Sequence, residues 1–302
     1  MERVTWDSVL LGLDETLSFS RALELGKHVD SSRFLQHRTV LLRLMGALAS
    51  GGPEMARAVF AGDPMASFLA LTEAVELGGI LPFLKACKPE TVRRKLLEVL
   101  QGPAQVTAGD QNTNQGRNIL FEFNVAAKLC DAKLSPQLGD HPDVSCSVDG
   151  REIFIECKRP LTLGGAAQAM GRAFRQLEND LKEAPAGARG AVAFSVSRLL
   201  NPGNQILSYT DEIAGKEALS RRIGEVSSFL GSRGLTPGPG IVGILWLVIT
   251  PAVDRRTGVL TCTQFMNVEP ICELGSTDER LFARLYEGLR FMWDEKKSRD
   301  RS

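Results

Sequence analysis

The chain does without net charge: 36 basic residues are matched by 36 acidic ones. That balance excludes a protein held to nucleic acid by bulk charge, though not one with a local basic groove. Long apolar runs are also missing. The longest, Ile241 to Thr250, is about half of what a membrane-spanning helix requires. The opening residues, MERVTWDSVLLGLDETLSF, mix acids into their apolar stretch and offer no small-residue cleavage site, so they do not read as a signal peptide. The six cysteines (Cys87, Cys130, Cys146, Cys157, Cys262, Cys272) form no CxxC pair and no Cys/His spacing suited to zinc. An intracellular, cytoplasmic protein with reduced thiols is the expectation. His28 and His37 stand alone in apolar helical surroundings and are assigned no role. A Gly-rich phosphate loop, a GxSxG elbow, an HExxH pair and a kinase signature are all missing, so those chemistries have no support. There is no internal repeat.

What is present is an ordinary globular composition, 43% hydrophobic over 302 residues, ample for a real core. Residues 1 to 101 read as an all-helical region. SRFLQHRTVLLRLMGALAS and PETVRRKLLEVLQG place apolar residues at i, i+3, i+4 and i+7, and Pro89 and Glu90 open the second of these helices. Residues 102 to 116, rich in Gly, Gln, Asn and Thr, read as a linker. From 117 to 275 the pattern becomes α/β. A helix from Arg117 to Ala132 precedes two short strands, a helix at Gly165 to Glu183 and a strand at Ala191 to Ser197. A further helix, the apolar strand from Ile241 and a strand near Leu260 to Val268 follow, which predicts a mixed sheet flanked by helices. Residues 276 to 302 form a C-terminal helix and tail, begun by Ser276 with Glu279 as a capping box.

The chemistry sits in HPDVSCSVDGREIFIECKRP, residues 141 to 160. Asp149-Gly150 is the favoured pair for a two-residue type I′ turn, where both residues take positive φ. Such a turn sets Val148 opposite Arg151, Cys146 opposite Ile153, Val144 opposite Ile155 and Asp143 opposite Glu156. Alternation then puts Val144, Cys146, Val148, Ile153, Ile155 and Cys157 on one face, and Asp143, Glu156 and Lys158 on the other. Two opposed carboxylates repel unless a cation lies between them. Two acids and a lysine converging are therefore a candidate divalent-metal site.

This hairpin resembles the signature of the PD-(D/E)xK nucleases, the restriction-endonuclease-like fold: Pro142-Asp143, a gap of twelve residues, then Glu156-Cys157-Lys158. The resemblance covers roughly residues 117 to 250. It implies a mixed-sheet restriction-endonuclease-like core, with Asp143, Glu156 and the backbone carbonyl of Cys157 holding Mg²⁺, for which Mn²⁺ may substitute. Glu122, on the preceding helix, stands where the family carries a further acid toward the metal. Lys158 would orient or deprotonate the attacking water and stabilise charge at phosphorus. Gln176, on the helix after the hairpin, stands near a glutamine of many relatives, and Arg159, Arg172 and Arg175 are candidates for phosphate contact. The implied activity is hydrolysis of phosphodiester bonds, in DNA above RNA, leaving a 5′-phosphate and a 3′-hydroxyl. A homodimer, or a protein partner docked on the N-terminal helices, would accompany it. The alternative is a catalytically inactive nuclease-fold protein that binds nucleic acid or acts as a scaffold. Charge alone is weak support: residues 151 to 225 carry eleven basic against nine acidic side chains.

Overall fold

The computed structural model describes residues 2–103 and 111–299. The first strand, β1 (Glu2–Thr5), leads into helices α1 (Trp6–Ser20), α2 (Gly26–Asp30), α3 (Arg33–Gly62), α4 (Pro64–Gly79), α5 (Leu81–Ala86) and α6 (Pro89–Gln101). Then come α7 (Gln111–Asp131), β2 (Gln137–Leu138), β3 (Val144–Val148), β4 (Arg151–Lys158), α8 (Leu163–Glu183), β5 (Arg189–Ser195) and α9 (Ser197–Leu200). The chain continues through β6 (Leu207–Tyr209), α10 (Glu212–Gly231), β7 (Ile241–Asp254), β8 (Leu260–Pro270) and α11 (Thr277–Arg299). The strands order as β1-β8-β7-β5-β4-β3-β2, with β6 pairing to β7. The β4–β5, β5–β7 and β6–β7 pairs are parallel, whereas β1–β8, β2–β3 and β3–β4 are antiparallel. The fold is thus mixed α/β with a helical N-terminal region, as the hydrophobic pattern predicts.

Two compact units interleave along the chain. One gathers Met1–Leu120, Leu200–Leu219 and Val248–Phe265; the other gathers Phe121–Leu199, Ser220–Leu247 and Met266–Ser302.

In the first unit the amphipathic periods become a helical core. Helix α3 is two helices joined at Gly52, whose φ of 69° no interior helical residue adopts, with Pro53 unable to donate to the turn before it. Helix α4 is buried nearly all round, and the most apolar window of Pro64–Ala86 is 83% buried. Among the described residues that stretch alone has the length and apolarity to cross a membrane; here it is a core helix. Helices α1 and α4 cross at two glycines. A Cβ on Gly12 would lie 3.3 Å from Gly78 Cα, and one on Gly78 3.1 Å from Gly12, so a side chain at either position would push the two backbones apart by a few tenths of an ångström. Each fully buried Leu or Phe of this core (Leu13, Leu41, Leu44, Phe34) contributes roughly 1.5–3 kcal/mol.

Several features differ from the sequence reading, the unexpected short strand β6 among them. β1 stands where helix alone was expected, because four residues are too few to show a period and only the partner β8 defines the strand. Helix α7 begins at Gln111, six residues before the expected Arg117, because its polar first turn lacks the apolar stripe that marks a helix. The rest of the expected linker, 104–110, lies outside the described residues, as do 300–302 of the tail. Strand β2 was not expected at all. Strand β7 runs past Thr250 through Pro251 to Asp254: β5 pairs with its first part, Ile241 to Leu247, and β6 with Ala252 to Asp254, so neither of these two ladders includes the proline. The C-terminal helix opens as expected, with Ser276 Oγ accepting from Glu279 N at 3.0 Å; the Glu279 carboxylate caps Gly275 N–H rather than that of Ser276.

Candidate active site

The second unit holds the hairpin. Asp149 and Gly150 take φ of 48° and 75°, the two positive values of a type I′ turn. The register is the expected one, from Val148 opposite Arg151 to Val144 opposite Ile155. Val144, Cys146, Val148, Ile153, Ile155 and Cys157 are all buried. Strand β4 then enters a parallel β4-α8-β5 unit, with α8 packed on both strands. That cover buries the polar face of β4 as well: Phe154 is 8% exposed and Glu156 is fully buried.

The ladder stops one pair short of Asp143. Instead of continuing it with its backbone, Asp143 turns its side chain in, and its Oδ2 accepts from Cys157 N at 2.7 Å. A strand residue directs its N–H and C=O to the same edge, so the Cys157 carbonyl also points toward the edge where Asp143 lies. The Lys158 ammonium donates to Glu156 Oε2 at 2.6 Å and lies 3.6 Å from Asp143 Oδ2. Asp143, Glu156 and Lys158 are therefore brought together, Glu156 and Lys158 by alternation along β4 and Asp143 by its side-chain bond to Cys157 N in place of the expected pairing opposite Glu156.

The electrostatics are unbalanced. Burial pushes the Glu156 carboxyl up, the Asp143 charge pushes it further, and Lys158 pulls it back, leaving it at about 7. Its Oε1 is buried with no hydrogen-bond donor. Burial lowers the Lys158 ammonium, but Asp143 and Glu156 outweigh it and hold the group charged above its ordinary range. The Cys157 thiol is pushed well up, by burial first and then by Asp143, Glu122 and Glu156. It is a core group and no nucleophile.

The remaining expected residues divide. Glu122, on α7, is 8% exposed and within electrostatic reach of Cys157, which puts it on the site's side of its helix. Gln176, half-buried on α8, follows Ala169 and Ala173 along the helix's buried stripe. Arg172 and Arg175 are exposed on α8, and Arg159 is half-exposed just after β4. The cation hydrogen-bonded to Glu156 is Lys158. Trp246 is fully buried, donates to Glu269 Oε2 at 3.0 Å and meets Phe194 edge-on, so it packs and offers no face to a base.

Sequence reasoning missed Asp180. It lies one helical turn beyond Gln176, and its Oδ2 is buried without a donor. Burial pushes its carboxyl up, His141 pulls it down, and Asp143 pushes it up again. The signal available was the four-residue step from Gln176, which puts both on one face of α8. Among the described residues no three His, Cys, Asp or Glu side chains stand as a ready-made metal cage. All six cysteines are free. No protein-family model, curated protein or solved structure matches the chain.

Proposed function

We propose that this chain is a metal-dependent nuclease of the PD-(D/E)xK type, its mixed sheet serving as a restriction-endonuclease-like core, acting on phosphodiester bonds in DNA above RNA. The observation that carries the reading is the meeting of Lys158 with Glu156 and Asp143 across the hairpin, 2.6 and 3.6 Å away. Chance surface ion pairs are solvated and worth little. This group is instead built on a fully buried glutamate, a costly arrangement that folding alone does not require.

The residues fit a hard divalent cation such as Mg²⁺, with Mn²⁺ as a substitute. The donors are all oxygen, and Glu156 Oε1 is buried with no proton donor of its own. Asp143, Glu156 and the Cys157 carbonyl would hold the ion, and Glu122 would act from α7. When bound, the ion supplies Lewis-acid stabilisation of the phosphoryl group and a lowered pKa for its water.

The chain's own groups do the rest. Lys158, kept protonated by its two acids, presents a positive donor where charge accumulates on the phosphoryl oxygens. Gln176 orients the substrate from α8, and Arg159, Arg172 and Arg175 contact flanking phosphates. Water attacks phosphorus and the P–O3′ bond breaks, leaving a 5′-phosphate and a 3′-hydroxyl. The N-terminal helices serve recognition, pairing with a second copy, or docking of a partner.

The test is cleavage of labelled single- and double-stranded DNA and RNA with Mg²⁺, Mn²⁺ or EDTA, by wild type, Asp143→Ala and Lys158→Ala. Metal-dependent cutting lost in both variants supports the reading and names the substrate. Cutting retained by both sinks it.

A further inference from the structure

We infer that Asp180 is a further acid of the cation site, steadying the ion's water shell from α8 while Asp143 and Glu156 hold the ion from the hairpin; this rests on the metal-dependent reading above. Three observations carry it. Asp180 Oδ2 and Glu156 Oε1 are both buried carboxylate oxygens without a hydrogen-bond donor, and a buried acceptor with nothing to accept from is costly unless a ligand supplies it. Glu156, fully buried, is reached electrostatically by both Asp143 and Asp180, and Asp180 by Asp143 and Lys158, so the four groups share one locus. Helix α8 packs directly on β4, the strand that carries Glu156.

Mg²⁺ takes one or two carboxylates directly and keeps several waters, which need acceptors of their own. Partners that hold a metal's first ligands in place typically change affinity by about 10–100-fold when removed.

Asp180 therefore acts through water and is a positioning residue. Its test is binding as well as cleavage. Mn²⁺ affinity is measured by water-proton relaxation for wild type, Asp143→Asn, Asp180→Asn, Asp180→Ser and Glu183→Gln, with melting curves in EDTA showing that each is folded. Glu183 is the control, an exposed acid in the same last turn of α8 that adds to the field on Asp180. The expected result is that Asp143→Asn abolishes binding, that both Asp180 variants weaken it about tenfold or more, and that Glu183→Gln stays within about twofold. Wild-type affinity in both Asp180 variants, with Asp143→Asn still inactive in binding, overturns the role of Asp180 and leaves the nuclease reading standing. Equal weakening by Glu183→Gln reduces Asp180 to diffuse negative charge and overturns it too. Failure of wild type to bind Mn²⁺ at all overturns both readings.

Discussion

Glu73 and Glu156 are both fully buried, and they live in opposite circumstances. Glu73, on α4 in the helical unit, has each oxygen bound by a guanidinium: Arg33 Nε to Oε2 and Arg117 Nε to Oε1, both at 2.6 Å. His37 Nε2 lies 3.4 Å away, and Arg33 also donates to the carbonyls of Val99 and Gly102. Glu156, on β4, has a cation on one oxygen only. Burial raises both carboxyls. At Glu73 the two arginines and His37 outweigh it and hold the group well below the ordinary range. At Glu156 a second acid adds to burial, and the group stays high. In the first cluster a cation holds each carboxylate oxygen, and the contacts join α3, α4, α6 and α7 within one unit. The second is open by design of its surroundings, and an open buried charge is where a ligand has something to do.

The comparison breaks most visibly in activity. Asp143→Asn and Lys158→Ala should each lower cleavage by about 10³-fold or more, read as single-turnover rates at saturating Mg²⁺; Glu73→Gln, if it folds at the assay temperature, should cut at near wild-type rate. Stability should show the reverse. Removing one partner of a buried ion cluster costs about 3–5 kcal/mol, so Glu73→Gln should lower the unfolding free energy by that amount, with the urea midpoint falling in proportion. An unchanged midpoint would show the cluster to be ornamental.

Acidity separates the two glutamates by sign. Glu73's carboxyl is lowered in the folded state, so its contribution is present above the unfolded carboxylate value and is lost as pH falls through the folded one. Glu156's is raised to about 7, so its contribution is present below the unfolded value and fades as pH rises toward 7. Urea midpoints in EDTA should therefore lose an acid-side slope in Glu73→Gln and a slope below neutrality in Glu156→Gln. The smallest effect should be on folding at neutral pH: Glu156→Gln should unfold within about 1 kcal/mol of wild type, or later, because an amide avoids the cost of a half-satisfied buried charge. A loss as large as that of Glu73→Gln would erase the distinction drawn here.

Legibility followed the range of the forces involved. The hairpin register could be read because an Asp-Gly turn demands two positive φ values and side chains alternate with period two; both are local rules, and they brought Asp143, Glu156 and Lys158 together in advance. The amphipathic helices α3 and α6 were readable for the same reason. Asp180 was not, since its place at the site depends on how α8 lies on β4. Nor was the Glu73 cluster: its arginines lie 40 residues before and 44 after it, and His37 stands 36 residues from it in the chain. The extension of β7 past Pro251 depended on β6, a three-residue strand with no period of its own.

The two-residue turn at Asp149-Gly150 also sets the kind of change this hairpin tolerates. Its chemistry is stored in the parity of residue positions along β4, much as meaning is stored in a reading frame. One residue inserted between Gly150 and Glu156 would hand the site's face to Cys157 and Ile155 while every side chain remained in the gene. Lineages of this hairpin should therefore drift freely in composition, yet lengthen or shorten only by even steps or by matched changes in both arms.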